Sequence, residues 1–288
     1  MIQYVMAGLA YGSLYALLGL GLLLTLRTTN VLNFAQGELS TLLAFVCFTI
    51  AVTLGQGIGW AFIGSLIVAV IVGLTLYNVI IFPIRRRDQE RLATVAISLK
   101  LAITGLIALY WGPESRIFPA LFDIERIEIF GTIIVADQVW MILAGLIGMV
   151  LVGVFLRFTS LGLAMRVAAE NPDLAQLLGV NLRVVGSAAW VAAALLGSVT
   201  GVLLASTLFL SPFMMGLVVL KAFTALVIGG MVSPFGVVIG GLLLGLLESF
   251  VAYTLTPLLQ DSVGLLIIIL VLMFRPRGLF AGQETWRA

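Results

Sequence analysis

Residues 158–183 read Phe158-Thr-Ser-Leu-Gly-Leu-Ala-Met-Arg-Val-Ala-Ala-Glu-Asn-Pro-Asp-Leu-Ala-Gln-Leu-Leu-Gly-Val-Asn-Leu-Arg183, a polar break between two apolar runs at 138–157 and 184–209. Each flanking run has about the 20 residues that an α-helix needs to cross a bilayer. Neither alternates apolar with polar residues as a porin strand does. A polar stretch between two such runs reads as a loop that leaves the membrane between two spans.

Outward from this break the same texture recurs. Apolar runs lie at 4–26, 37–54, 58–82, 92–111, 216–232, 236–255 and 262–274. Over 288 residues the chain is 62% hydrophobic and 10% charged, and its mean hydropathy is +1.22. A soluble chain carries about 25% charged residues, so this composition cannot furnish a water-facing surface. The expected fold is an all-α polytopic transmembrane bundle of about eight or nine spans with interrupted or re-entrant segments. It forms a single membrane domain over 1–288, with an outer-face segment at 112–137. In that segment the alternation Ile124-Glu125-Arg126-Ile127-Glu128-Ile129-Phe130 suits a short hairpin or an interfacial segment.

The chain has no histidine and one cysteine, Cys47, inside an apolar run. That removes a disulfide framework, a cysteine metal cluster and the commonest acid–base group. No Gly-x-x-x-x-Gly-Lys-[Ser/Thr] loop is present, so the chain does not itself bind nucleotide phosphates in that way. A net charge of +2 gives no reason to expect nucleic acid. The N-terminus lacks a basic n-region, so the first run is expected to remain as a span.

Charge placement orients the chain. Nine alternating crossings put Arg27, Arg85, Arg86, Arg87, Arg91, Arg157, Arg166, Arg183, Arg275, Arg277 and Arg287 on one face. Arg116 and Arg126 lie on the other, with Glu114, Asp123, Glu125, Glu128 and Asp137. The positive-inside rule makes the basic face cytoplasmic. The N-terminus is then outside, and the C-terminus and residues 158–183 are in the cytoplasm.

Within the break, Asn171-Pro172-Asp173 is a helix start: an N-cap, a proline suited to the first turn and an acid at the positive end of the dipole. Pro172 also disfavours helix at Asn171, so a helix over 161–170 ends there. Gly179 supplies a stop. The product is a helix of about seven residues with Leu174, Leu177 and Leu178 along one side. It needs a surface to pack on, either a partner or this chain's own spans.

Two stretches interrupt the apolar pattern, 27–38 and 229–241. Each is either a tight turn with small-residue packing or a discontinuous helix of the kind transporters use. Lys100, Lys221, Glu248 and Glu38 lie in or beside apolar runs, where each charge costs roughly 2.5–3.5 kcal/mol at a helix centre and demands a partner or a wet cavity. Lys100 is a pathway residue, a lysine reaching for the headgroups, or half of a pair with an acid such as Glu248. Lys221 is expected to snorkel, Glu248 to pair structurally and Glu38 to complement a helix N-terminus.

The chain resembles the membrane permeases of branched-chain amino acid ATP-binding-cassette importers. The resemblance rests on Gly12-Ser-Leu-Tyr-Ala-Leu17, Asn30-Val-Leu-Asn-Phe-Ala-Gln-Gly-Glu38, Arg166-Val-Ala-Ala-Glu-Asn-Pro172 through Gly179-Val180, Lys221-Ala-Phe223 through Gly229-Gly230, Gly240-Gly241 and Arg275-Pro-Arg-Gly-Leu-Phe280. It covers nearly the whole chain. After Gly179 the sequence Val-Asn-Leu-Arg follows this subfamily and departs from the general coupling loop of such permeases.

The resemblance implies a multi-pass subunit of a bacterial inner membrane that is not an enzyme. Its partners would be the lipid bilayer, a second permease subunit (identical or different), two cytoplasmic ATPases and an extracytoplasmic solute-binding protein. It implies no cofactor in this chain, with ATP and Mg held by the ATPases. Arg166, Ala169, Glu170, Asn171, Pro172, Leu174, Leu177, Leu178 and Gly179 would form the ATPase contact. Asn30, Asn33, Gln36, Gly37 and Lys100 are the candidates for the substrate pathway. Related permeases carry urea or short amides, and a stand-alone carrier or channel for a small polar solute is the alternative. A membrane scaffold without a substrate is the third reading.

Overall fold

The computed structural model describes residues 1–30, 32–84, 89–119, 121, 126–129, 132–275 and 278–279. Val31, Arg85–Arg87, Asp123, Glu125, Arg277 and Arg287 lie outside them. Helix α1 (Ile2–Thr29) is followed by α2 (Gln36–Phe48), which continues through one wide turn at Thr49–Thr53. Helix α3 (Ile58–Thr75) runs on through Leu76–Ile81 into α4 (Phe82–Ile84). Then come α5 (Gln89–Trp111) and two antiparallel strands, β1 (Arg126–Ile129) and β2 (Thr132–Val135), with Arg126 opposite Val135. The alternation read in the outer segment therefore pairs as a hairpin.

Helix α6 (Ala136–Phe158) leads into two short helices, α7 (Ser160–Glu170) and α8 (Pro172–Leu177). The chain closes with α9 (Leu182–Thr207), α10 (Gly216–Ile228), α11 (Pro234–Thr254) and α12 (Gln260–Phe274). Eight helical stretches among the described residues are long and apolar enough to cross a membrane, and the ninth apolar run is the shorter α10. Of the second expected interruption only residues 229–233 break the helix. Gly240 and Gly241 lie inside α11.

Contacts divide the chain into two compact units. One comprises Leu24–Asp123 and Val150–Gly216. In it α2 and α9 are the inner helices, with 61% and 72% of their apolar windows buried, against 28% for Ile58–Ile84 and 22% for Arg91–Trp111. Small residues let these helices approach, the usual device where lipid offers no hydrophobic contrast. The Ser65 and Ser198 hydroxyls meet at 3.0 Å, and Gly197 and Gly201 sit directly against Ser40. The ring of the fully buried Tyr77 fills the space left by Gly186.

The other unit comprises Met1–Leu23, Ile124–Met149 and Leu217–Ala288. Its α1 and α11 touch backbone to backbone, a Cβ on Gly12 falling 2.9 Å from the Gly241 oxygen. Helix α10 runs beside α12 in the same direction. Lys221 meets Asp261, Thr224 Oγ1 donates to Gly264 O at 3.4 Å, and Val227 and Ile228 pack on Val271. Past the end of α12, Leu279 N donates to Ile228 O at 3.0 Å.

Candidate functional site

The elbow between α6 and α9 is built by local capping. Thr159 Oγ1 accepts from Gly162 N at 2.9 Å and starts α7. Asn171 is extended (φ −148°, ψ 102°) and separates α7 from α8. Its Oδ1 accepts from Asp173 N at 3.1 Å and Leu174 N at 2.9 Å. Pro172 occupies the first turn, where a missing N–H costs nothing. Gly179 adopts φ +82° and reverses the chain, so that Val180 N reaches Ala175 O at 2.9 Å. Asn181 repeats the cap for α9.

This frame holds Ala175 buried and leaves Leu174, Leu177 and Leu178 exposed at 50%, 85% and 68%. Arg166 and Glu170 are exposed as well, and Ala169 is half-buried. Nine residues chosen from sequence thus fall on one capped elbow.

Beside α8 lies a groove of about 620 Å³, lined by Thr29, Asn30, Phe82, Leu92, Pro172, Asp173, Gln176 and Val180 through Arg183. Arg183 Nε donates to Asn78 Oδ1 at 2.9 Å, and its guanidinium stacks 4.7 Å from the Phe82 ring centroid. The start of α9 is thereby tied to α3 and α4. Thr29 and Leu92 also line a second space of only about 10 Å³, closed in by Leu32, Asn33, Ile81, Ala96 and Trp190. The groove narrows there to less than a solute.

The first interruption borders both spaces, Asn30 on the groove and Leu32 and Asn33 on the constriction. Helix α1 holds through Thr29, and α2 begins at Gln36. Asn30 takes φ +56°, in the left-handed region that asparagine tolerates better than most residues. Asn33 Oδ1 accepts from Ala35 N at 3.2 Å, and its Nδ2 donates to Gln36 Oε1 at 3.1 Å. Gln36 Nε2 donates to Ala193 O at 2.8 Å. Asn33, Gln36 and Gly37 are buried, while Asn30 is exposed.

Two neighbouring helices measure the depth of this break. Ala193 is eleven residues beyond the first residue of α9, and Lys100, whose Nζ lies 3.5 Å from Glu38 Oε1, is eleven beyond that of α5. At 1.5 Å per residue both place the start of α2 about 16 Å in from the groove end. Farther along, Trp111 Nε1 donates to Thr49 Oγ1 at 2.8 Å, so α2 and α5 run parallel to a common end. The interruption thus leads into a helix that begins partway along its two neighbours.

Of the intramembrane charges, Lys221 departs from expectation, and Lys100 and Glu38 keep one of their readings while sharing an ion pair. Lys100 pairs with Glu38 and not with Glu248. Lys221 does not reach for a surface: it is 8% exposed and bonds Glu248 Oε2 at 3.1 Å and Asp261 Oδ1 at 2.8 Å. The reason is a nearby cage, because Glu248 is buried and also accepts from Tyr15 Oη at 3.0 Å. Glu38 adds an ion pair to its place in the first turn of α2. Sequence reasoning missed Tyr15, hidden in an apolar run, and Asp261, one residue outside one. It also passed over Gly197 and Gly201, whose four-residue spacing marked the face of α9 that receives Ser40.

These features define a class, the polytopic helical membrane protein built around a helix that begins partway along its neighbours. Residues 4–272 match the family described as branched-chain amino acid transport system / permease component, and the chain belongs to it. Among its relatives, the high-affinity branched-chain amino acid transport system permease protein LivH of Escherichia coli K12 is 29% identical over 297 residues, covering 99% of this chain and 96% of that one. The corresponding protein BraD of Pseudomonas aeruginosa is 30% identical over 298 residues, covering 99% and 97%. A probable branched-chain amino acid transport permease protein LivH of Methanocaldococcus jannaschii is 29% identical over 285 residues, covering 93% and 89%.

Proposed function

We propose that this chain is the membrane permease subunit of an ATP-binding-cassette importer for branched-chain amino acids, resident in a bacterial cytoplasmic membrane. Membership of the permease family along residues 4–272 carries the reading. In it, two cytoplasmic ATPases bind and hydrolyse ATP with Mg, a second permease subunit completes the channel, and an extracytoplasmic binding protein delivers the solute. This chain supplies the route and the lever.

The lever is α8. Three leucines exposed together on a helix too short to be stable alone favour a protein surface as their partner. Arg166 and Glu170 flank them with one charge of each sign. Basic residues support a cytoplasmic position for the elbow: Arg27, Arg91, Arg157 and Arg183 all stand at helix ends on the elbow's side of their spans, and Arg116 stands at the opposite end of α5.

Motion of α8 would reach the route directly, because Pro172, Asp173 and Gln176 share a groove with Leu92 of α5 and the start of α9. A shift of α8 against that groove would move the walls of the 10 Å³ constriction and open the start of α2 to the cytoplasm. The test is purification of the chain expressed with its partners. We expect an ATPase to co-purify, and Glu170→Arg or Leu177→Asp to abolish solute-stimulated ATP hydrolysis while membrane insertion is kept. Normal uptake in those variants, or full transport by the lone chain, would refute the proposal.

A further inference from the structure

Lys100 stands eleven residues from each end of α5, and its side chain is 41% exposed. An ammonium at half depth cannot be left to lipid, so in the working transporter its open side faces water, solute or protein. Its acidic neighbour is loosely held. Glu38 is 6% exposed, its Oε1 is 3.5 Å from Lys100 Nζ, beyond the usual length of a charge-assisted hydrogen bond, and its Oε2 has no hydrogen-bond partner among the described residues. A buried carboxylate ordinarily satisfies its acceptors, and the exceptions ask for a reason.

Lys100 lies one turn along α5 from a residue of the constriction, and Glu38 lies beside Lys100. Leu92 lines both groove and constriction, Ala96 lines the constriction, and Lys100 follows at the same four-residue spacing on α5. The first turn of α2 carries Glu38, and the amide pair Asn33–Gln36 precedes it.

We infer that Glu38 and Lys100 form the half-depth station that reads the zwitterion of the solute. The α-carboxylate is taken by Lys100 Nζ and the α-ammonium by the free Oε2 of Glu38. This deepens the permease reading and rests on it. The resting ion pair keeps both charges neutralised when the site is empty, as burial requires. A free amino acid opens it by offering one charge to each partner, so that no charge at half depth is unpaired in either state. A neutral amide or urea offers no such exchange and would leave the pair closed. The station is therefore specific for α-amino acids and indifferent to the aliphatic side chain.

The test uses the complete transporter in proteoliposomes with its binding protein, and compares wild type with Glu38→Gln, Lys100→Met and the double variant. The readouts are assembly and L-leucine uptake. Each single variant should lower uptake at least tenfold when uptake is normalised to the amount of assembled complex. The double variant removes both charges and leaves no buried charge unpaired, so it should assemble like wild type, yet its uptake should stay at least tenfold down. A merely structural pair predicts the reverse, with recovery of uptake in the double variant. That recovery, normal uptake in either single variant, or failure of the double variant to assemble would overturn the inference. If wild type with its ATPases moves no leucine, the permease reading itself fails.

Discussion

Single side chains in this protein do two kinds of work, local and distant. Asn171 is local: its carboxamide closes two of the free N–H groups at the start of α8. Asn171→Ala should destabilise that helix by about 0.5–2 kcal/mol, whereas Asn171→Asp should keep it. Faster amide hydrogen exchange at 173–178 in the alanine variant alone would show this. Lys221 is distant, holding two carboxylates and a tyrosine from other helices. Lys221→Met leaves Glu248 buried with Tyr15 as its remaining partner, a loss of about 3–5 kcal/mol. Lys221→Met with Glu248→Gln should recover most of that loss in a thermal melt in detergent. The same division decides what could be read from sequence. Asn171, Pro172 and Gly179 announce their roles because their partners lie within a few residues. Lys100 does not, since Glu38 is 62 positions away and only the fold brings it near.

At the scale of elements, apolar runs located the helices closely: 184–209 became α9 at Leu182–Thr207, and 138–157 became α6 at Ala136–Phe158. Hydrophobic length is a property of each segment alone, which is why it is legible. Depth is not such a property. Residues 30–35 look like a loop beside Arg27, and only the parallel neighbours α5 and α9 reveal that α2 begins halfway along them. At 240–241 the glycines serve helix contact and not a break, the small-residue packing that is one of the two readings of 229–241. Close contact of this kind is testable at Gly186, where any Cβ would overlap the Tyr77 ring. Gly186→Ala should cost about 1–3 kcal/mol through overpacking. Paired with Tyr77→Leu, its effect should be smaller than the sum of the two single changes, because the residues touch. Additive shifts in melting temperature would contradict that contact.

For the molecule as a whole, the number of crossings turns on α10. Thirteen residues of α-helix span about 20 Å, short of a ~30 Å core, and eight crossings would leave both termini on one side. Yet α10 accompanies α12 from Asp261 to Val271, and its last residue bonds Leu279. Whether α10 crosses as well depends on the irregular residues that complete its ends. If α10 crosses, the nine crossings expected from the sequence would put the N-terminus outside and the C-terminus and the elbow inside, as the charge bias requires. Cysteine labelling decides the matter, because the one native thiol, Cys47, is fully buried and should stay silent. An impermeant maleimide should label Gln3→Cys and Glu114→Cys in intact spheroplasts only. It should label Leu177→Cys and Leu279→Cys in inside-out vesicles only. If Gln3→Cys and Leu279→Cys label from the same side, α10 does not cross, and one of the two ends contradicts the distribution of arginine.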